Sequence, residues 1–175
     1  MILVLASCKA EVPDASAQTP RPTAASEKVI GTFQTKILDT DPERVNNLAL
    51  CANSLNGTLV ASGEEFSFNK TVGERTSDKG YKPARILTGD EADCAVGGGV
   101  CQISSTLFNA AADAGMEIVE RHNHQNEVHY VEIGRDAAVS YGTLDFRFKN
   151  PLQNSVRINI AAENGAVTAK IVLLP

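Results

Sequence analysis

The chain has no basic excess: 16 lysines and arginines stand against 21 acids, a formal net charge of -5. Nucleic-acid binders usually carry a basic stripe, so that class is set aside. It also has no apolar run near the roughly 18 residues of a membrane-spanning helix. No internal repeat is present, and at 175 residues little length remains for a second domain once one full core is built. Cysteine is scarce but informative. There are four, and if Cys8 is set apart, as argued next, Cys51, Cys94 and Cys101 remain. Outside the reducing cytosol an odd number leaves at least one thiol free or paired between molecules.

Residues 1 to 8, MILVLASC, place Leu5 and the small residues Ala6 and Ser7 before Cys8. This resembles a bacterial lipobox, in which the cysteine is lipidated and anchors an exported protein. The apolar stretch before it is shorter than the usual signal core of about 7–15 residues, as happens when a start codon is assigned too late. Residues 9 to 28 hold Pro13, Pro20 and Pro22 among Ala, Ser and Thr without periodicity, and read as a disordered tether. The folded domain is then 29 to 175.

Within it, the β-branched and aromatic residues from Val29 to Leu38 predict a strand. Asp41-Pro42-Glu43 is a helix start, with Asp as cap and Pro at the first helical position. Val45, Leu48, Ala49, Ala52 and Leu55 follow at helical spacing, and Asn56-Gly57 stops the run. Short strands are expected at Leu59 to Ala61 and Glu65 to Phe68, then a long connection over 69 to 98 with one strand at most. Val100, Ile103, Leu107, Ala111 and Ala114 form one face of a second helix capped by Gly115. Met116 to Arg121 and Val128 to Ile133 are strand candidates. Phe146 and Phe148, then Val156, Ile158 and Ile160, alternate with polar residues, and Val167 to Leu174 closes the chain. The class is α+β: an antiparallel sheet packed against two main helices.

Gly97-Gly98-Gly99 lead into Cys101 at the N-terminus of the second helix. There the unpaired N–H groups and the helix dipole favour a thiolate, and the glycines would let a substrate backbone come close. Equally, the glycines can be a turn and Cys101 a small packing residue. His122, His124 and His129 are the chain's three histidines. A helix-start Cys, a His and an acid form the arrangement that activates a thiol and orients its base. Asp136 and Asp145 are the acid candidates; each also reads as an ordinary turn or strand residue. A metal reading competes: on a strand, His122 and His124 would share a face, and Cys94 and Cys101 or an acid could complete a zinc site.

Three stretches, GEEFSFNKTVGERTSDKGYKPARIL, GGGVCQISSTLFNAAADAGMEIVERHNH and YVEIGRDAAVSYGTLDFRFKN, resemble the VanW family over about residues 46 to 150. That family was first known from vancomycin B-type resistance clusters. The resemblance implies the cell envelope, a cell-wall peptide or glycopeptide as partner, and motif positions at Gly98, Gly99, Cys101, Gln102, Arg121, His124, Gly134, Asp136, Asp145 and Asn150. Cys51 and Cys94 depart from the family pattern, and their joint presence suggests a disulfide between them. A weaker likeness of layout connects the Cys-helix-His-Asp order to transglutaminase-like enzymes.

Three functions are therefore expected. In the first, Cys101 attacks a peptide amide, His124 is base and then acid, Asp136 or Asp145 holds the imidazole, and Gln102 or helix-start N–H groups stabilise the oxyanion; no cofactor is needed. In the second, Gly97, Gly98, Gly99, Arg121, His122 and Asn150 belong to a non-catalytic binding module. The third is a zinc-dependent hydrolase.

Overall fold

The computed structural model describes residues 27–86 and 93–175; the Cys8 lipobox and the tether as far as residue 26 lie outside them. Glu27 and Lys28, placed in the tether by sequence, are held by the domain. The Glu27 carboxylate accepts from Arg157 Nη1 at 2.8 Å, and Lys28 opens the first strand.

The strands are β1 (Lys28–Lys36), β2 (Leu59–Val60), β3 (Glu65–Ser67), β4 (Pro83–Arg85), β5 (Cys94–Val96), β6 (Glu117–Glu120), β7 (Arg147–Lys149), β8 (Val156–Glu163) and β9 (Ala166–Leu173). The helices are α1 (Pro42–Leu55), α2 (Phe68–Val72) and α3 (Val100–Asp113). All strand pairs are antiparallel. A four-stranded sheet runs β1-β9-β8-β2, a three-stranded sheet β3-β7-β6, and β4-β5 forms a ribbon. In the larger sheet Lys28 lies opposite Leu173 and Lys36 opposite Ala166.

The period-2 pattern of β8 and β9 buries Val156, Ile158 and Ile160 with Val167, Ala169 and Ile171, and α1 and α3 close over that face with Leu48, Ala52, Leu55, Ile103 and Leu107. The smaller sheet adds Phe66 and Phe148, with Phe146 just before β7, to the same core, and Phe66 and Phe148 stack at 4.9 Å. Each such side chain contributes about 1.5–3 kcal/mol by leaving water. The Asp41 cap forms as its sequence predicts: Oδ1 accepts from the Glu43 and Arg44 N–H groups at 3.0 and 3.1 Å.

Two expectations are corrected. Residues 69 to 98 are more structured than a single-strand connection, holding most of α2, a 3-10 turn at Ser77–Lys79 and the β4-β5 ribbon. Their elements are too short for a hydrophobic period to show, and side-chain clamps replace it: the Asn47 amide donates to the carbonyls of Lys82 and Gly98 at 2.9 and 3.0 Å and accepts from the Lys82 N–H at 2.8 Å. Residues 128 to 133 form no strand. That segment belongs to a long loop laid across α3.

Candidate active site

Helix α3 starts with Gly99 as its N-cap residue, at φ 103°, so Cys101 is the second helical residue. The Val100 and Gln102 N–H groups turn back onto the Gly97 and Gly99 carbonyls at 3.2 and 2.9 Å. The Cys101 N–H, between them, has no such partner among the described residues. The partly buried thiol donates to the Val139 carbonyl at 3.5 Å.

The polar residues of ISSTLFN explain how the facing loop is held. Ser104 Oγ donates to the Ala137 carbonyl at 2.6 Å, Ser105 Oγ accepts from the Ala137 N–H at 2.8 Å, and Asn109 Nδ2 donates to the Arg135 carbonyl at 2.8 Å. A buried loop must find partners for its backbone, and α3 supplies them from one face. Asp136 is thereby fixed over the helix. Its Oδ2 accepts from both the backbone N–H and Nδ1 of His124, each at 2.6 Å. Its Oδ1 accepts from Arg121 Nη2 at 3.1 Å, and Arg121 also donates to the carbonyls of Asp136 and Gly134 at 2.6 and 2.8 Å.

The His124 imidazole is turned between Asp136 and Cys101, and the charges respond. Burial opposes ionisation of the Cys101 thiol, yet hydrogen bonding and attraction from His124, with help from the Val139 carbonyl contact, hold its pKa below the usual thiol value of 9.0. Burial likewise opposes the imidazolium, but Cys101 first and Asp136 second raise the His124 pKa above 6.5. For Asp136 burial works against the carboxylate and the two His124 contacts overcome it, leaving the pKa below 3.8. All three shifts favour a thiolate–imidazolium pair backed by a carboxylate.

The structure thus brings Cys101, His124 and Asp136 together and sends the other candidates elsewhere. Asp145 is not on the histidine: Oδ2 accepts from Ser67 Oγ at 2.6 Å and Oδ1 from the Asn69 and Phe146 N–H groups at 2.8 Å, closing the start of α2. Gln102 cannot serve an oxyanion, because it is buried with Nε2 donating to Thr35 Oγ1 and the Lys36 carbonyl and Oε1 accepting from Arg44. Asn150 is buried on the carbonyls of Val60, Ala61 and Asn154. Arg121 serves Asp136. The glycines make room for the protein's own atoms: a Cβ on Gly98 would stand 2.2 Å from the Ala84 carbonyl oxygen, and one on Gly99 3.0 Å from Arg44.

The zinc arrangement does not form either. β6 ends at Glu120, so His122 and His124 share no strand face; His122 Nε2 meets Glu120 at 2.9 Å while His124 turns to Asp136. Among the described residues no three His, Cys, Asp or Glu side chains are grouped to hold a metal ion. The expected disulfide is absent. Cys51 is wholly buried on the core face of α1, Cys94 is exposed on β5, and both are free thiols.

A cavity of about 760 Å³ opens over Cys101 and His124. Sequence reasoning missed its three arginines, Arg44, Arg75 and Arg85, along with the loop clamps Ser104, Ser105 and Asn109. Polar residues at 104, 105 and 109 on an otherwise apolar helix were the available signal for the clamps.

A family profile described as VanW like protein matches residues 43–172. Uncharacterized protein YoaR of Bacillus subtilis (strain 168) is 42% identical over 142 residues, covering 81% of this chain and 47% of its own. Vancomycin B-type resistance protein VanW of Enterococcus faecalis (strain ATCC 700802 / V583) is 30% identical over 133 residues, 73% of this chain and 48% of its own. The chain spans about half the length of these curated relatives. No solved structure matches significantly, and the transglutaminase-like layout finds no support among these relatives.

Proposed function

The chain belongs to the VanW family, and from that premise we propose that its domain is a thiol-dependent enzyme acting on amide bonds of cell-wall peptides. The observation that carries this is the Cys101–His124–Asp136 arrangement, whose Cys101 and His124 line an open cavity. With Nδ1 committed to Asp136, Nε2 is the imidazole nitrogen left for Cys101. The Cys101 thiolate attacks the amide carbonyl carbon, and the carbonyl electrons move onto oxygen, where the Cys101 N–H can meet them. As the C–N bond breaks, His124 gives its proton to the departing nitrogen. A thioester remains on Cys101. Water or an amine then attacks it while His124 takes the proton back, releasing acid or new amide and restoring the thiolate.

The envelope setting is supported by the LASC sequence ending at Cys8 and by the name of the Enterococcus relative. In this reading Cys8 carries the lipid and the domain works outside the cytoplasm.

The test is incubation of the purified domain with peptides released from peptidoglycan, followed by mass spectrometry of both peptide and protein. The expected result is peptide turnover with an acyl adduct on Cys101, abolished by Cys101→Ser and by His124→Ala. Peptides that stay intact across a panel of stems, together with an inert Cys101, would point instead to a non-catalytic binder.

A further inference from the structure

The arginines of this domain divide by location. Arg121, Arg135, Arg147 and Arg157 each form an ion pair with a carboxylate. Arg44, Arg75 and Arg85 line the cavity over Cys101, and none of the three has a carboxylate partner among the described residues. Arg44 Nη2 donates to the neutral Gln102 amide at 3.1 Å, and its buried Nε has no hydrogen-bond partner. Arg75 Nη1 donates only to neutral oxygens, Asn69 Oδ1 at 2.7 Å and the Gly73 carbonyl at 3.0 Å, while its guanidinium lies 5.9 Å from the Tyr141 ring centre. The acids lining the cavity are Asp39 and Glu74; Asp39 Oδ1 accepts from the Asp41 N–H.

A guanidinium removed from bulk water without a counter-charge is costly. Arg44 and Arg75 are half-buried and line the same cavity, and held by neutral acceptors that fix their direction they are prepared for an anion supplied from outside. Resting on the reading of Cys101 as the acylated thiol, we propose that Arg44 and Arg75 bind a free carboxylate of the substrate, with Arg85 adding charge at the rim. The substrate is then a peptide attacked close to a carboxylate-bearing residue, and the arginines set which amide reaches Cys101. The planar guanidinium matches a carboxylate through two parallel hydrogen bonds, and an amide in the same place would leave that fork half used.

The experiment uses the domain with Cys101→Ala, so that binding is read apart from thiol chemistry. Acetyl-trialanine and its C-terminal amide are titrated separately and followed by NMR. The acid is expected to bind at least about tenfold tighter than the amide, a difference of about 1.4 kcal/mol. Arg75→Gln and Arg44→Lys should each remove most of that preference with the spectrum of the fold unchanged. Equal binding of acid and amide overturns the proposal, as does failure of both to bind, or an acid preference that survives both substitutions. Inorganic phosphate is titrated in parallel; tight phosphate binding without acid preference assigns the wall to a phosphorylated ligand and overturns it too. A carboxylate preference with an inert Cys101 in the unsubstituted domain instead retires the catalytic reading and leaves the carboxylate site standing.

Discussion

The Nδ1 of His124 and the Oδ2 of Asp136 stand 2.6 Å apart, and the same oxygen accepts the His124 backbone N–H. One carboxylate oxygen therefore fixes both the ring and the chain that carries it. Asp136→Asn keeps the size but loses the charge, so the imidazolium loses support and the Cys101 thiolate with it. Amide turnover should fall on the order of 10²- to 10⁴-fold. The alkylation midpoint of Cys101 should move up toward 9.0, its ordinary value. An unchanged midpoint, measured by iodoacetamide labelling across pH, would remove Asp136 from the site.

The pH dependence of stability follows from the same contacts. His124 is raised above 6.5 in the folded domain, so its contribution is full below 6.5 and fades as pH climbs through the folded value. Asp136 is depressed below 3.8, so its contribution is present above 3.8 and is lost as pH falls through the folded value. Urea unfolding at a series of pH values should show the gap between the native domain and His124→Gln narrowing above pH 6.5. The gap to Asp136→Asn should close in acid below 3.8.

The three thiols of the domain should separate by alkylation. Cys101 is expected to react fastest near neutrality, and exposed Cys94 more slowly. Cys51, whose pKa burial pushes far up, should stay unlabelled until the protein unfolds. Mass spectrometry of each peptide over time gives the order. A Cys51–Cys94 crosslinked peptide from the native protein would contradict the buried and exposed placements of the two residues.

Asp145→Ala should act on the fold rather than on the thiol. It leaves the Asn69 and Phe146 N–H groups and Ser67 Oγ without their acceptor, a loss of roughly 1–3 kcal/mol per unsatisfied buried group. Denaturant midpoints should drop while the Cys101 labelling midpoint stays where it is.

Gly98→Ala tests the meaning of the glycine run. Its Cβ would meet the Ala84 carbonyl oxygen at 2.2 Å and the carbonyl carbon at 2.6 Å, backbone atoms that cannot rotate aside. The domain should lose at least about 1–3 kcal/mol, read as an early urea transition. A fully stable Gly98→Ala protein would return the glycines to substrate access.

The sequence carried the large elements because their signals are local. Asp41-Pro42 and the spacing of Leu48, Ala52 and Leu55 describe α1 without reference to any other part of the chain. The alternation in β8 and β9 does the same for the sheet. Cys101, His124 and the acid could be proposed from residue type and order, but the choice of Asp136 over Asp145 could not. That choice depends on Ser104, Ser105 and Asn109 gripping residues 135 to 137 from the helix, a contact between distant segments that no period records. The loop at 128 to 133 misled for a related reason: Val128 is buried, as in a strand, with no ladder beside it.

The pairing of Lys28 with Leu173 brings the two ends of the described domain side by side at one end of the β1-β9 ladder. A pull on both ends therefore loads that ladder one bond at a time, as a zipper opens, instead of shearing all of its bonds together. β1 is also a strand against which α3 packs. Thr35 and Lys36, which hold Gln102 beside Cys101, lie at the opposite end of β1, so an unzipping that starts at Lys28 reaches the support behind the thiol last.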